Sequence, residues 1–245
     1  MITYYQTDPG KVRSHNEDSV TIVKNLNNEY LAVVADGMGG HKAGEVASSL
    51  AVNELSKRFS ELSSIGTKEE AVIWIKEIID EVNVKILKYA EEHVDASGLG
   101  TTCVCSIVTD DFLLFVNIGD SSGYVCKKGK LYKVTKDHTL VNILLENGEL
   151  TESAAKMHPQ KNVLMKALGA AEEIDMDIFD VEREVDGVLL CSDGLTNMLS
   201  VEQIEKVLND KELELEEQVG KLIMKANVRG GTDNITVACI RFGGE

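Results

Sequence analysis

Residues 30–35 read YLAVVA, six apolar positions without a break, and 19–24 (SVTIVK) stand before them across the polar tetrapeptide NLNN. Short apolar, β-branched runs bounded by turn formers predict strands, here an antiparallel pair. The period then changes. Ala43, Val46, Ala47, Leu50, Ala51 and Leu55 recur at steps of three and four, as do Ile75, Ile79, Val82, Ile86 and Tyr89, predicting helices over 43–59 and 68–93. Strands are predicted again at 101–110 (TTCVCSIVTD), 112–120 (FLLFVNIGD), 123–126 and 131–134, the last two a hairpin about KKGK. A short buried strand at 187–192 (GVLLCS), helices over 201–209 and 213–227, and a closing strand at 234–242 (NITVACIRF) complete the pattern. The order lacks the regular strand–helix alternation of a parallel doubly wound sheet. It predicts an α+β fold, with antiparallel sheets at the centre and helices outside.

One segment breaks this regularity. Over 138–165 helical spacing appears only in short pieces, Leu140, Ile143 and Leu144, then Leu150, Ala154 and Ala155, separated by Asn147-Gly148 and His158-Pro159. It is too short for a domain and too patterned for a linker, and reads as a small flap. No Gly/Ser/Pro-rich linker or internal repeat divides the rest, so residues 1–245 are expected to form one domain. Trp74, on a helix, is expected in the core.

Composition narrows the function. Apolar residues are 43% and charged residues 27%, an ordinary globular balance. The net charge is −16, from 41 acidic against 25 basic residues, with no basic stripe, which argues against nucleic acid as a partner. Five cysteines (Cys103, Cys105, Cys126, Cys191 and Cys239), odd in number and without a CxxC, read as reduced and mostly buried. No run approaches membrane-spanning length and the N-terminus has no signal pattern, so a cytoplasmic protein without membrane contact is expected.

The acids are not scattered at random. YLAVVA runs into Asp36-Gly37, FLLFVNI into Gly119-Asp120, and GVLLCS into Asp193-Gly194; Asn16-Glu17-Asp18 precede the first predicted strand, and Gly231-Thr232-Asp233 precede the last. A lone aspartate at a strand end is ordinarily a turn former or helix cap. Five such ends in one layered sheet can converge on one edge, where like charges repel and call for a cation. An all-oxygen donor set suits hard ions, Mg²⁺ or Mn²⁺. Two other motifs fail. GMGGHK has Lys42 where a dinucleotide fingerprint needs its third glycine. GDSSG (119–123) matches a nucleophile elbow, but a hairpin follows where a helix is required, and no histidine comes after His158. No Cys-x5-Arg loop occurs either.

The elements TDPGKVRSHNED, VVADGMGGHKAGEVAS, GLGTTCV, IGDS, KDHTLVN, HPQKNVLMKALG, LLCSDGLTNML and RGGTDNITV, in this order, cover nearly the whole chain. In them the chain resembles the metal-dependent Ser/Thr protein phosphatases of type 2C, in their compact bacterial form. The resemblance implies a central β-sandwich of two antiparallel sheets flanked by helices, two tightly bound Mn²⁺ or Mg²⁺ ions with a weaker third, and hydrolysis of phosphoserine and phosphothreonine. By motif, Asp36 would bridge two ions, Gly37 would offer its carbonyl, Asp193 and Asp233 would complete the pair, and Glu17 and Asp18 would stand about it. Asp120 matches the acid of the third ion, Arg13 the arginine that grips the phosphate, and Asn234 a supporting group. The implied partners are phosphorylated proteins, a cognate membrane-anchored Ser/Thr kinase among them, with a monomer as the working unit. The chemistry agrees: paired cations can polarise a phosphoryl group and activate water, and a guanidinium suits phosphate.

This sequence departs from the family pattern at two places. Many relatives read GDSR where Ser122 stands, which leaves the surroundings of the third ion open. Some have histidine directly after the Asp-Gly, where this chain has Met38; His41, three residues on, is then the candidate general acid, with a structural hydrogen bond as the competing reading. His138 and His158 read as structural or surface residues of the flap. The alternatives are a pseudophosphatase that binds phosphoproteins, which loss of a carboxylate would signal, and a phosphatase of another phosphoester.

Overall fold

A computed structural model of the chain describes residues 1–39, 43–93, 96 and 98–243. The elements run β1 (Ile2–Asp8), β2 (Asp18–Lys24), β3 (Tyr30–Met38), α1 (Ala43–Ser60), α2 (Lys68–Glu92), β4 (Gly100–Thr101), β5 (Cys103–Val108), β6 (Leu113–Ile118), β7 (Ser122–Lys127) and β8 (Lys130–Lys133). There follow α3 (Leu140–Glu146), α4 (Glu152–Met157), β9 (Asp177–Val181), β10 (Gly187–Cys191), α5 (Asp193–Thr196), α6 (Val201–Leu208), α7 (Leu215–Val228) and β11 (Ile235–Arg241).

The unbroken apolar runs are strands buried on both faces. In β3, Leu31, Val33 and Ala35 enter one apolar cluster with α1 and α2, while Tyr30, Ala32 and Val34 enter another shared with the facing sheet. In β10 the same alternation sends Val188 and Leu190 between the sheets and Leu189 and Cys191 toward α6 and α7. Two antiparallel sheets result, ordered β1-β11-β10-β7-β8 and β2-β3-β5-β6-β9, with β4 appended to β3. From one side to the other the layers are α1 and α2, sheet, sheet, α6 and α7. This is the α-β-β-α sandwich expected. All five cysteines are free, and all but the half-buried Cys126 are buried.

Local chemistry supports the elements. Thr67 caps α2: its hydroxyl accepts from the Glu70 amide at 3.2 Å while the Glu70 carboxylate accepts from the Thr67 amide at 2.7 Å. The β7–β8 hairpin turns through Lys128 and Gly129 at φ of 51° and 73°, the positive pair that a tight two-residue turn requires. That hairpin begins at Ser122, so the GDSSG stretch opens a strand and no nucleophile elbow forms. Trp74 is half-buried and meets Phe59 edge-on, ring centroids 5.7 Å apart.

Three features differ from expectation. The run of β3 does not stop at Asp36 but continues through Met38, because Gly37 and Met38 pair with Thr101 and Gly100 of β4. The expected strand over 101–110 is divided accordingly between β4 and β5. Two strands were not expected, β1 and β9. Both are partly exposed along their length, so neither shows the apolar run or clean alternation that marks a covered strand.

The segment at 138–165 is tied at its neck. The Leu140 amide donates to the Val163 carbonyl at 2.9 Å, the Met165 amide to the His138 carbonyl at 2.8 Å, and Thr139 bridges Leu164. Between these ties lie α3 and α4, each opened by a threonine cap, Thr139 and Thr151.

Candidate active site

Antiparallel pairing brings the acids together. In the β2–β3 ladder Asp18 stands directly opposite Asp36. In the other sheet β10 delivers Asp193 as it ends and β11 follows Asp233, while Asp120 occupies the β6–β7 turn. Arg13, Glu17, Asp36, Gly37, Asp120, Asp193 and Asp233 line one cleft of about 380 Å³; Asp18 is buried and is not part of its lining. Met38, Gly39, Thr102, Asn234 and, from the 138–165 segment, Asn162 and Leu164 complete its wall. A larger cavity, about 490 Å³, lies at the far end of the β10 sheet around Cys126, Gly187 and Cys239. It gathers no comparable set of carboxylates, so the chemistry selects the smaller cleft.

Several of the acids are held by their surroundings. Asp18 Oδ2 accepts from the hydroxyls of Ser192 at 2.7 Å and Thr236 at 2.6 Å. Asp193 Oδ2 accepts from Asn197 Nδ2 at 2.9 Å. Asn234 fastens the loop that carries Arg13 and Glu17: its Oδ1 accepts from the Glu17 amide at 2.8 Å, and its Nδ2 donates to the Pro9 and His15 carbonyls, both at 2.9 Å. The Asp36 carbonyl accepts from the Thr102 amide and the Thr101 hydroxyl, both at 2.9 Å, and Thr102 Oγ1 in turn lies 2.7 Å from Ser121 Oγ. At Gly37 a side chain would run into the carbonyls of Gly44 and Glu17; only glycine lets α1 begin this close to the acid.

Burial and mutual repulsion make this cluster reluctant to ionise. Burial first, then Asp18, Asp193 and Asp120, hold Asp36 well above the usual carboxylate range. Burial raises Asp18 to about 7 against the opposing Thr236 and Ser192 hydroxyls, Asp120 to about 7 with help from Asp193, and Asp193 to about 6 with help from Asp233. Glu17 is raised by burial, with the Arg13 guanidinium opposing the shift. Such a set is relieved by protons or by a cation.

The donor set fits a hard cation. Glu17 Oε1, Asp18 Oδ1 and Asp193 Oδ1 are buried oxygens without a hydrogen-bond partner. Nothing but oxygen is offered by these acids, and Arg13 is the only base among the described residues of the wall. Among those residues no three carboxylate, imidazole or thiol groups already stand in closed ion-binding geometry. Asp233 is turned to Arg13, whose Nε and Nη2 reach its two oxygens at 2.9 and 3.0 Å. His41, the candidate general acid, lies outside the described residues. His158 closes α4 and His138 is buried beside the Asp120 turn.

Several participants gave little sequence signal. Thr101, Thr102, Ser192 and Thr236 look like ordinary strand residues, and only the fold shows that the hydroxyls of Ser192 and Thr236 bond the Asp18 carboxylate and those of Thr101 and Thr102 the main chain of Asp36. Asn162 and Leu164 reach the cleft because the flap neck folds back on itself.

Comparison with known proteins gives the family and the fold. The model of the family described as "Protein phosphatase 2C" matches residues 10–227. The chain is 43% identical over 241 residues to the serine/threonine phosphatase stp of Listeria monocytogenes, covering 98% of this chain and 95% of that one. It is 36% identical over 240 residues to protein phosphatase PhpP of Streptococcus pneumoniae, covering 98% and 96%. Among solved structures, the serine/threonine phosphatase of S. agalactiae superposes with a TM-score of 0.91 at 36% identity, covering 99% of each chain.

Proposed function

The chain belongs to the protein phosphatase 2C family, a metal-dependent family, and we propose that its acidic cleft hydrolyses phosphoserine and phosphothreonine in proteins by attack of a water. The observation that carries this reading is the meeting of Asp36, Asp120, Asp193, Asp233 and Glu17 with Arg13 in one cleft whose described wall holds no thiol or imidazole nucleophile. The family similarity over nearly the whole chain supports the substrate class.

In this reading Asp36, Gly37, Asp193 and Asp233 are the residues that would hold the two tightly bound ions, with Glu17 and Asp18 standing about them, and Asp120 would serve a weaker third. Asp18, pinned by Ser192 and Thr236, fixes the opposite rung of the ladder from Asp36. When bound, two Mn²⁺ or Mg²⁺ ions would polarise the phosphoryl oxygens and acidify a water near neutral pH. Arg13 grips the phosphate as a bidentate donor, exchanging its Asp233 partner for the ester. Thr102 and Asn234 keep the carboxylates in place while the ester oxygen leaves, and His41 is the group assigned to protonate it.

Residues 1–245 act as one catalytic unit in this proposal, with 138–165 as a flap beside the cleft. The protein works as a cytoplasmic monomer on phosphorylated proteins, a cognate Ser/Thr kinase among them. No helix among the described residues is long and apolar enough to cross a membrane. The test is phosphate release from a phosphothreonine peptide beside a phosphotyrosine peptide, with Mn²⁺ or with excess chelator. Release from the first alone, and only with metal, is expected; full activity in chelator would overturn the reading.

A further inference from the structure

The turn that presents Asp120 is held through the main chain of Gly119. Gly119 sits at φ +102°, and a side chain there would collide with Thr102. Its main chain is held from beneath. The Gly119 amide donates to His138 Nδ1 at 3.1 Å, and the Gly119 carbonyl accepts from the His138 amide at 2.9 Å and from Asn117 Nδ2 at 3.1 Å. An Nδ1 that accepts is unprotonated, so the ring carries its proton on Nε2. That nitrogen lies 3.2 Å from Asp177 Oδ2, without the alignment of a formed hydrogen bond; Lys166 stands 3.7 Å from the other Asp177 oxygen. His138 is buried, at 8% exposure. Its carbonyl accepts from Met165, which closes the flap neck, and the next residue, Thr139, caps α3.

One residue therefore meets three things: the Asp120 turn through its ring and amide, the flap through its carbonyl, and β9 through Asp177. We propose that His138 is a positioning residue, whose neutral imidazole holds the Gly119 main chain so that Asp120 and the base of the flap keep one fixed relation across the cleft. It touches no reacting atom. Its importance for turnover rests on the reading of Asp120 given above; its hold on Gly119 does not.

The shape of the side chain supplies the test. Asn places an amide oxygen near the position of Nδ1, and Gln places its amide near Nε2. In the full-length protein, His138→Ala, His138→Asn and His138→Gln would be compared by amide hydrogen exchange of Gly119 in labelled, metal-free protein, and by kcat and KM on a phosphothreonine peptide with Mn²⁺. Losing one net hydrogen bond corresponds to about two- to tenfold. His138→Ala and His138→Gln should speed Gly119 exchange by about that factor and lower kcat about tenfold, with KM within about twofold; His138→Asn should restore most of both. Equal exchange and equal kcat in His138→Asn and His138→Gln would overturn the proposal, and this pair remains decisive if His138→Ala fails to fold. Inactivity of the wild type on the peptide would instead strike the proposed function, while the exchange measurement still reports on His138.

Discussion

Arg13 and Asp233 meet through two parallel contacts, Nε to Oδ1 at 2.9 Å and Nη2 to Oδ2 at 3.0 Å. The pair lies at the mouth of the cleft, where the Arg13 side chain is half exposed. A planar guanidinium that can fit a carboxylate this way can fit a phosphate equally well. Charge-assisted hydrogen bonds are worth about 1.5–3 kcal/mol, so Arg13→Ala should lower kcat/KM on phosphopeptides by about one to two decades. Arg13→Lys should recover only part of this, since a point charge cannot bond bidentately. Unchanged steady-state kinetics in Arg13→Ala would return the residue to a surface ion pair.

The buried acids should show opposite signs for activity and for stability. Asp36→Asn and Asp193→Asn are each expected to remove most activity, because each acid is assigned to an ion that serves both water and phosphate. In metal-free protein the same Asp36→Asn relieves a carboxylate crowded by Asp18, Asp193 and Asp120. Its melting temperature should rise by about 2–4 °C, the shift that about 1 kcal/mol produces at this size. Asp120→Ala should slow turnover while calorimetric titration with Mn²⁺ still finds both tight sites; loss of both would contradict the assignment.

Stability of the metal-free chain should depend on pH in a definite direction. Asp18 and Asp120 are raised to about 7 and Asp193 to about 6, from an ordinary value of 3.8. Raised acids bind their protons more tightly when folded, so their contribution is complete below the unfolded value and is lost as pH rises through 6 to 7. Thermal melting in excess chelator should therefore weaken between about pH 5 and pH 7.5. Added Mn²⁺ should restore it at the upper end, releasing protons as it binds. A melting temperature flat across this range in chelator would show that the acids are not linked to folding in this way.

The 138–165 segment presents exposed apolar side chains as well as two residues of the cleft wall. Met157 and Met165 are 85% and 50% exposed, while Asn162 and Leu164 reach the cleft wall itself. Converting Met157 and Met165 together to serine should lower kcat/KM on phosphoproteins about three- to tenfold through lost apolar contact. Turnover of p-nitrophenyl phosphate, which is too small to span that surface, should stay within about twofold. Parallel loss on both substrates with an unchanged circular dichroism spectrum would show that these methionines do not discriminate between protein and small substrates.

Much of this was legible in the chain itself. Asp36, Asp120, Asp193 and Asp233 each follow or precede an apolar run with a glycine within two residues, and periodicity alone separated the covered strands from α1, α2, α6 and α7. Those signals are local: a strand buried on both faces is apolar throughout, and an amphipathic helix repeats every 3.6 residues. Partly exposed β1 and β9 carry no such mark, and tertiary pairing with β11 and β6 alone makes them strands. The same holds for the supports of the site. Asp18 lies 174 residues before the Ser192 that bonds it and 218 before Thr236, and Asn234 reaches back 217 positions to the Glu17 amide. Sequence specified which acids were available and what kind of ion they suit. Only the folding of two sheets face to face decided that they share one cleft, because hydroxyls, amides and carboxylates far apart in the chain become neighbours only when the strands that carry them stack.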